Sequence, residues 1–86
     1  MPILSVFFGI VIRIYHLDHN PPHIHVQYGE YEATMDIRAR RVLQGQLPKR
    51  VLRLVLEWLD VRRTEVEQAW KAVQMMKNPK RIKPLE

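Results

Sequence analysis

Alternating apolar and polar residues predict a first strand from about Ile10 to His16. One side of it carries Ile10, Ile12 and Ile14, and the other side carries Val11, Arg13 and Tyr15. Such alternation is typical of a strand with one buried face. The loop that follows, residues 18–22, ends in two prolines, which cannot donate backbone hydrogen bonds and which favour extended backbone before them.

Two more strands are predicted, from about His23 to Tyr28 and from about Tyr31 to Ile37, joined by Gly29-Glu30. Glycine in the first position of a two-residue turn is typical of a type II′ hairpin. This turn fixes the register, and the expected core pairs, which share their face with Ile37, are Tyr28–Tyr31, Val26–Ala33 and Ile24–Met35. On the opposite face the expected pairs are His23–Asp36, His25–Thr34 and Gln27–Glu32.

Helical spacing of apolar residues follows the strands. Pro48 suits the first position of a helix, and the residues after it are apolar around most of the circumference, which predicts a largely buried helix. Thr64 with Glu67 three residues later predicts a capping box that opens a second helix. Asn78-Pro79 ends that helix.

The pattern predicts an α+β domain with a three-stranded antiparallel sheet followed by two C-terminal helices packed on one face. Residues 1–77 form the predicted domain, and residues 78–86 form a basic tail that contains proline. A chain of 86 residues is too short for two independent cores. The absence of cysteine excludes disulfides and thiolate zinc sites and fits a reducing cytoplasm. The apolar run Val6–Ile12 is too short to span a membrane, so we expect an unprocessed cytoplasmic protein without membrane contact.

Positive charge is concentrated in two segments of this chain, whose net charge is +5. The first segment contains Arg38, Arg40, Arg41, Lys49, Arg50 and Arg53 and no acidic residue. The second is the C-terminal tail with Lys80, Arg81 and Lys83. Clustering of this kind favours nucleic acid or an acidic partner protein as the ligand. The residues predicted to make such contacts are Arg13, Arg38, Arg40, Arg41, Lys80, Arg81 and Lys83.

All 4 histidines lie between His16 and His25, and this stretch carries the candidate chemistry. His23 and His25 are two residues apart on a strand, so they project from one face within reach of one ion. His19 or Asp18 supplies a third ligand from the loop and leaves a position for water. Imidazole and carboxylate donors suit Zn, Mn, Ni or Fe. Asp36, opposite His23, is the expected hydrogen-bond partner of its second ring nitrogen.

The same residues allow three other interpretations. His23 and Asp36 could form only a cross-strand ion pair, and a protonated histidine does not bind metal. His23 or His25 could act as acid and base on a phosphodiester held by Arg13. The histidines could instead be scaffolding that satisfies loop carbonyls. We expect neither His23 nor His25 to be part of the core.

The box Asp18-His19-Asn20-Pro21-Pro22-His23-Ile24-His25-Val26 resembles the bacterial domain-of-unknown-function family 4160. The resemblance extends over nearly the whole chain, through Gly9-Ile10, Ile12-Arg13, Gly45-x-Leu47-Pro48, Glu57-Trp58, Trp70 and Ile82-x-Pro84-Leu85. It implies a compact domain with strands first and helices second. It also implies a regulatory role, because members are sometimes labelled transcriptional regulators and have been linked to toxin–antitoxin pairs.

The sequence therefore favours a regulatory binding module, a toxin–antitoxin or transcription-associated component that contacts nucleic acid or a partner protein, over an enzyme. The alternative is a histidine- or metal-dependent nuclease or hydrolase that uses the face of His23 and His25. The free edges of the predicted sheet also allow a homodimer.

Overall fold

The computed structural model describes residues 2–86 and contains a meander of five antiparallel strands followed by two helices. The strands are β1 (Ile3–Phe7), β2 (Ile10–Arg13), β3 (His23–Tyr28), β4 (Tyr31–Asp36) and β5 (Arg41–Gly45). The helices are α1 (Lys49–Val61) and α2 (Arg63–Gln74). The strands neighbour one another in chain order. The predicted α+β class is therefore confirmed, whereas the predicted three-stranded sheet is wrong.

Both additional strands lie at the edges of the sheet, where the sequence signals are weak. A two-residue turn at Phe8 and Gly9, with φ of 50° and 79°, separates β1 from β2. Phenylalanine is uncommon at positive φ, so the sequence gives little sign of a turn within its N-terminal apolar run. β5 has four exposed residues of five, and its arginine and glutamine resemble a basic loop more than a strand.

The register of the central hairpin is confirmed. Each pair across β3 and β4 is as predicted, from Tyr28 opposite Tyr31 at the turn to His23 opposite Asp36 at the far end. Gly29 adopts positive φ, as the first residue of a type II′ turn requires. Alternation therefore places the apolar residues of both strands on the face that the helices cover.

The helices differ from their predicted starts. Pro48 precedes α1 with ψ of 147°, which is extended rather than helical backbone. Arg62, not Thr64, stands immediately before α2, and no side chain caps that end, so the predicted capping box is wrong. The reason is that α1 and α2 are joined by Arg62 alone, which leaves Thr64 inside the first turn of α2.

Core residues come from the sheet, from both helices and from the C-terminal segment. Trp58 of α1 is fully buried, and its indole N–H donates to the carbonyl of Lys83 at 2.9 Å. The backbone N–H of Ile82 donates to the carbonyl of Leu4 in β1 at 2.7 Å, and the side chain of Ile82 is buried. Residues 78–86 therefore pack against the domain. Within residues 2–86, no helix combines the length and the apolar character that crossing a membrane requires.

Candidate metal centre and polar sheet face

The loop between β2 and β3 is held in place by the C-terminal end of α2. The backbone N–H of Leu17 donates to the carbonyl of Val73 at 3.2 Å, and the amide of Gln74 donates to the carbonyl of Asp18 at 2.8 Å. A ring nitrogen of His16 lies 3.1 Å from the carbonyl of Lys77. These contacts fix the loop backbone next to the start of β3.

This loop brings Asp18 to both strand histidines. Its Oδ2 atom lies 2.7 Å from Nε2 of His23 and 3.1 Å from Nε2 of His25. Partial burial by itself raises the pKa of Asp18, but the hydrogen bonds with His25 and His23 outweigh it, so the pKa lies below its ordinary value. One donor atom from each of the three residues lies within 4.8 Å of the others.

His23 is fixed on both sides of its ring. Its Nδ1 lies 2.7 Å from the carbonyl oxygen of Pro21, and a carbonyl only accepts, so Nδ1 carries a proton and donates. The ring packs against Trp70 of α2 with a centroid separation of 5.4 Å. His23 is 4% exposed, and the prediction that it lies outside the core is therefore wrong. The ring is buried because α2 covers this end of the sheet and places Trp70 against it.

Asp36 does not have the predicted role. It lies opposite His23 in the register, but its Oδ1 accepts the backbone N–H groups of Arg38 and Ala39, each at 2.8 Å. The carboxylate therefore closes the turn after β4, and Pro21 and Asp18 contact the two ring nitrogens of His23 instead. A short turn with two unpaired N–H groups competes effectively for an adjacent aspartate.

His19 lies at the rim of this cluster. Its side chain is 90% exposed, and its Nδ1 lies 3.3 Å from the other oxygen of Asp18. Of the predicted ligands, the structure therefore brings together Asp18, His23 and His25, with His19 outside that set.

His25 links the cluster to the polar face of the sheet. Its ring stacks on Tyr15 with a centroid separation of 4.0 Å, and Arg13 lies directly opposite His25 on β2. Nη1 of Arg13 donates to Oε1 of Gln27 at 2.6 Å. A groove of about 410 Å³ extends along this face from Arg13, Tyr15 and His25 past Gln27, Glu32 and Thr34 to Gln44.

Of the predicted basic residues, Arg13 is half-buried on the sheet face and bonded to Gln27, and the others divide into two groups. Arg38 pairs with Glu67 at 3.1 Å and Arg40 pairs with Asp60 at 2.8 Å. Hydrogen bonding to Glu67 raises the pKa of Arg38 above its ordinary value. The remaining residues are exposed, and within residues 2–86 none of them has an acidic partner: they are Arg41, Lys80, Arg81 and Lys83.

Sequence analysis missed two residues that shape this site. The alternation of residues in the first predicted strand already puts Tyr15 on the same side as Arg13, so Tyr15 could have been included in the site from the sequence. Gln74 carries no such signal, because its contact with Asp18 spans 56 positions and depends on how α2 packs.

The fold and the cluster define a class: an α+β domain with a five-stranded meander, helices on one face and a histidine–aspartate cluster at one end of the sheet. The family model of the domain of unknown function DUF4160 matches residues 9–71, so the chain belongs to this family. Neither a curated protein nor a solved structure matches the chain.

Proposed function

We propose that this domain binds one divalent metal ion through Asp18, His23 and His25 and that this ion is the centre of its function. The observation that carries the proposal is the approach of Nε2 of both histidines to a single carboxylate oxygen, at 2.7 and 3.1 Å. Because the Asp18 carboxylate only accepts, Nε2 of each histidine carries the proton in these hydrogen bonds. Binding of the ion releases that proton and replaces the hydrogen bond with a bond from Nε2 to the metal.

The donor set suits zinc and its neighbours in the first transition row. Tetrahedral Zn²⁺ with bonds of about 2.0–2.1 Å needs ligand atoms about 3.3 Å apart. The His23–Asp18 distance of 2.7 Å must therefore widen more than the His25–Asp18 distance of 3.1 Å, through rotation of the Asp18 side chain on a loop backbone that α2 holds. Two imidazoles and one carboxylate leave a coordination position for water or substrate, which is the arrangement of hydrolytic rather than structural zinc sites.

Contacts behind the ligands support the same proposal. Metal-binding histidines usually donate their second ring N–H to a carbonyl or carboxylate, which fixes the tautomer. His23 does so through Nδ1 to Pro21, and Gln74 holds the backbone of Asp18. The ligands of the proposed ion are thus oriented before it binds.

Calorimetric titration of the metal-free 86-residue chain with Zn²⁺ tests this proposal. We expect one ion per chain with micromolar or tighter affinity. Asp18→Asn and His25→Asn each weaken binding by about tenfold or more. His19→Asn is the matched control, because that side chain is 90% exposed and lies outside the ligand set. Circular dichroism checks that each variant folds. His23 is left unchanged in this test because it is buried.

Two results would overturn the proposal. One is a titration without a saturable site. The other is a His19→Asn variant that loses as much affinity as Asp18→Asn, since that would assign the zinc to the exposed rim of the loop.

A second candidate function, a regulatory module that contacts nucleic acid, is favoured by one observation on α1. Lys49, Arg50 and Arg53 are exposed near its N-terminus, no acidic residue lies in its first turn, and none of the three has an ion-pair partner within residues 2–86. The N-terminal end of a helix adds positive potential to these charges.

Fluorescence anisotropy with a single-stranded DNA oligonucleotide tests this second function. We expect the affinity to fall steeply with salt, because phosphate contacts release counterions. A variant with alanine at Lys49, Arg50 and Arg53 should lose binding, while Arg40→Ala, which removes a charge already paired with Asp60, should retain most of it. An affinity that does not change with salt concentration would contradict this function. Equal losses of affinity in the two variants would contradict it as well.

A further inference from the structure

The groove on the polar sheet face begins at His25, a ligand of the proposed ion. Nε2 of His25 is directed at Asp18, while the ring borders the groove and stacks on Tyr15. Of the three proposed ligands, His25 lines the groove, so a molecule at this end of the groove contacts a ligand of the ion. A volume of about 410 Å³ falls within the usual range of small-molecule sites.

Arg13 gives this end of the groove a fixed positive charge. It lies opposite His25 on the neighbouring strand, and residues that pair in this way have Cβ atoms about 5 Å apart. Its Nη1 is held by Gln27 at 2.6 Å, which orients the guanidinium and leaves its other N–H groups to donate elsewhere. A guanidinium beside a divalent ion fits the oxygens of a phosphoryl group.

The rest of the groove has a different chemistry. Beyond Arg13 it is lined by the uncharged polar side chains Gln27, Thr34 and Gln44, and by Glu32, which lies opposite Gln27. Amides and a hydroxyl can donate to and accept from neutral polar groups, and a carboxylate accepts from hydroxyls but repels an anion. The anionic part of a ligand therefore belongs at Arg13, and a neutral part rich in hydrogen-bonding groups belongs toward Glu32 and Gln44.

We propose that this groove binds a phosphate ester whose phosphoryl group lies between the metal ion and Arg13 and whose neutral polar part lies along Gln27, Thr34 and Gln44. A nucleoside monophosphate has this distribution of charge and hydrogen-bonding groups. The inference rests on the proposed function, since it assigns one face of the phosphoryl group to the ion.

Calorimetry on the zinc-loaded 86-residue chain, with AMP, adenosine and inorganic phosphate as probes, tests the inference. We expect AMP to bind more tightly than either fragment, because it occupies both parts of the groove. Arg13→Met should weaken AMP binding by roughly tenfold or more, the usual effect of losing a hydrogen bond to a charged group. Zinc binding should be unchanged in this variant.

Arg81→Met is the matched control, because it makes the same chemical change at an exposed residue outside the groove. We expect it to bind AMP as the parent protein does. Ribose 5-phosphate distinguishes two sources of the same chemistry. If it binds as tightly as AMP, the ligand class is sugar phosphates, and if AMP binds more tightly, the base also contributes and the class is nucleotides.

Three results would overturn the inference: AMP binding no tighter than adenosine, equal losses in Arg13→Met and Arg81→Met, and AMP affinity that is the same with and without zinc. The zinc titration is performed without nucleotide and reports separately on the metal site. Stoichiometric zinc without AMP binding therefore rejects the groove alone, whereas failure of the zinc titration rejects the proposed function.

Discussion

The two faces of the sheet contrast in how far local sequence determines them. The covered face is formed by residues such as Ile12, Ile24 and Met35, all fully buried under the helices. The open face carries Arg13, His25 and Thr34 at equally regular intervals. Alternation in the sequence places both sets correctly, because a β-strand directs successive side chains to opposite sides.

Burial alone is enough to define the covered face, whereas the open face depends on a contact from outside the sheet. His25 becomes part of a cluster only because Asp18 reaches it from the loop, and α2 holds that loop through Gln74. Periodicity therefore predicts which residues share a face, while the chemistry of that face depends on distant segments.

The largest expected effect lies on the covered face. Ile24→Ala should lower the free energy of unfolding by about 2–5 kcal/mol, because it leaves a cavity in a closely packed core. Thr34→Ala on the open face is the control and should cost less than about 1 kcal/mol. Urea denaturation of both variants measures the difference. Similar losses would show that the two faces contribute equally to stability and would remove the contrast.

A smaller effect is expected where the open groove meets the edge of the sheet. Gly45 has φ of 83°, and a Cβ atom there would clash with the backbone carbonyl of Glu32. Gly45→Ala should cost roughly 2–4 kcal/mol, combining left-handed strain with the clash. Gly29→Ala is matched to it, since Gly29 also has positive φ but nothing within 4 Å of the added Cβ. In thermal or urea unfolding, the Gly29→Ala variant should have a clearly higher free energy of unfolding than the Gly45→Ala variant.

Much of the central hairpin could be predicted because each of its signals is local. The Gly29-Glu30 turn and the alternation around Ile24 together specify one register, and a slip by one residue would bury the wrong side chains. The edge strands were missed for physical reasons. The turn after β1 begins at Phe8, and phenylalanine rarely marks a turn. β5 buries too little apolar surface to produce an alternating pattern.

The candidate site was predicted in composition but not in detail. His23, His25 and Asp18 were identified because they are close in sequence, and loop and strand keep them close in space. The burial of His23 depends on Trp70, and the turn formed by Asp36 depends on the chain after β4. Tertiary packing decides which partner each of these side chains contacts, and the spacing of residues in the sequence does not predict that packing.

The contact between Gln74 and the loop gives the smallest of these effects and the sharpest test of the contrast between the faces. Gln74→Met keeps the size of the side chain but removes the hydrogen bond to the carbonyl of Asp18. The free energy of unfolding should fall by only about 1 kcal/mol, the net value of one such bond. Zinc affinity should fall several-fold, because Asp18 is then less well positioned.

Gln68→Met is the control for this prediction, since Gln68 lies on the same helix and is exposed. It should change neither the urea midpoint nor the zinc titration. A Gln74→Met variant with unchanged zinc affinity would show that the loop positions Asp18 without help from α2. In that case the open face would be as locally determined as the covered one, because the residues from Asp18 to His25 would be sufficient to build the cluster.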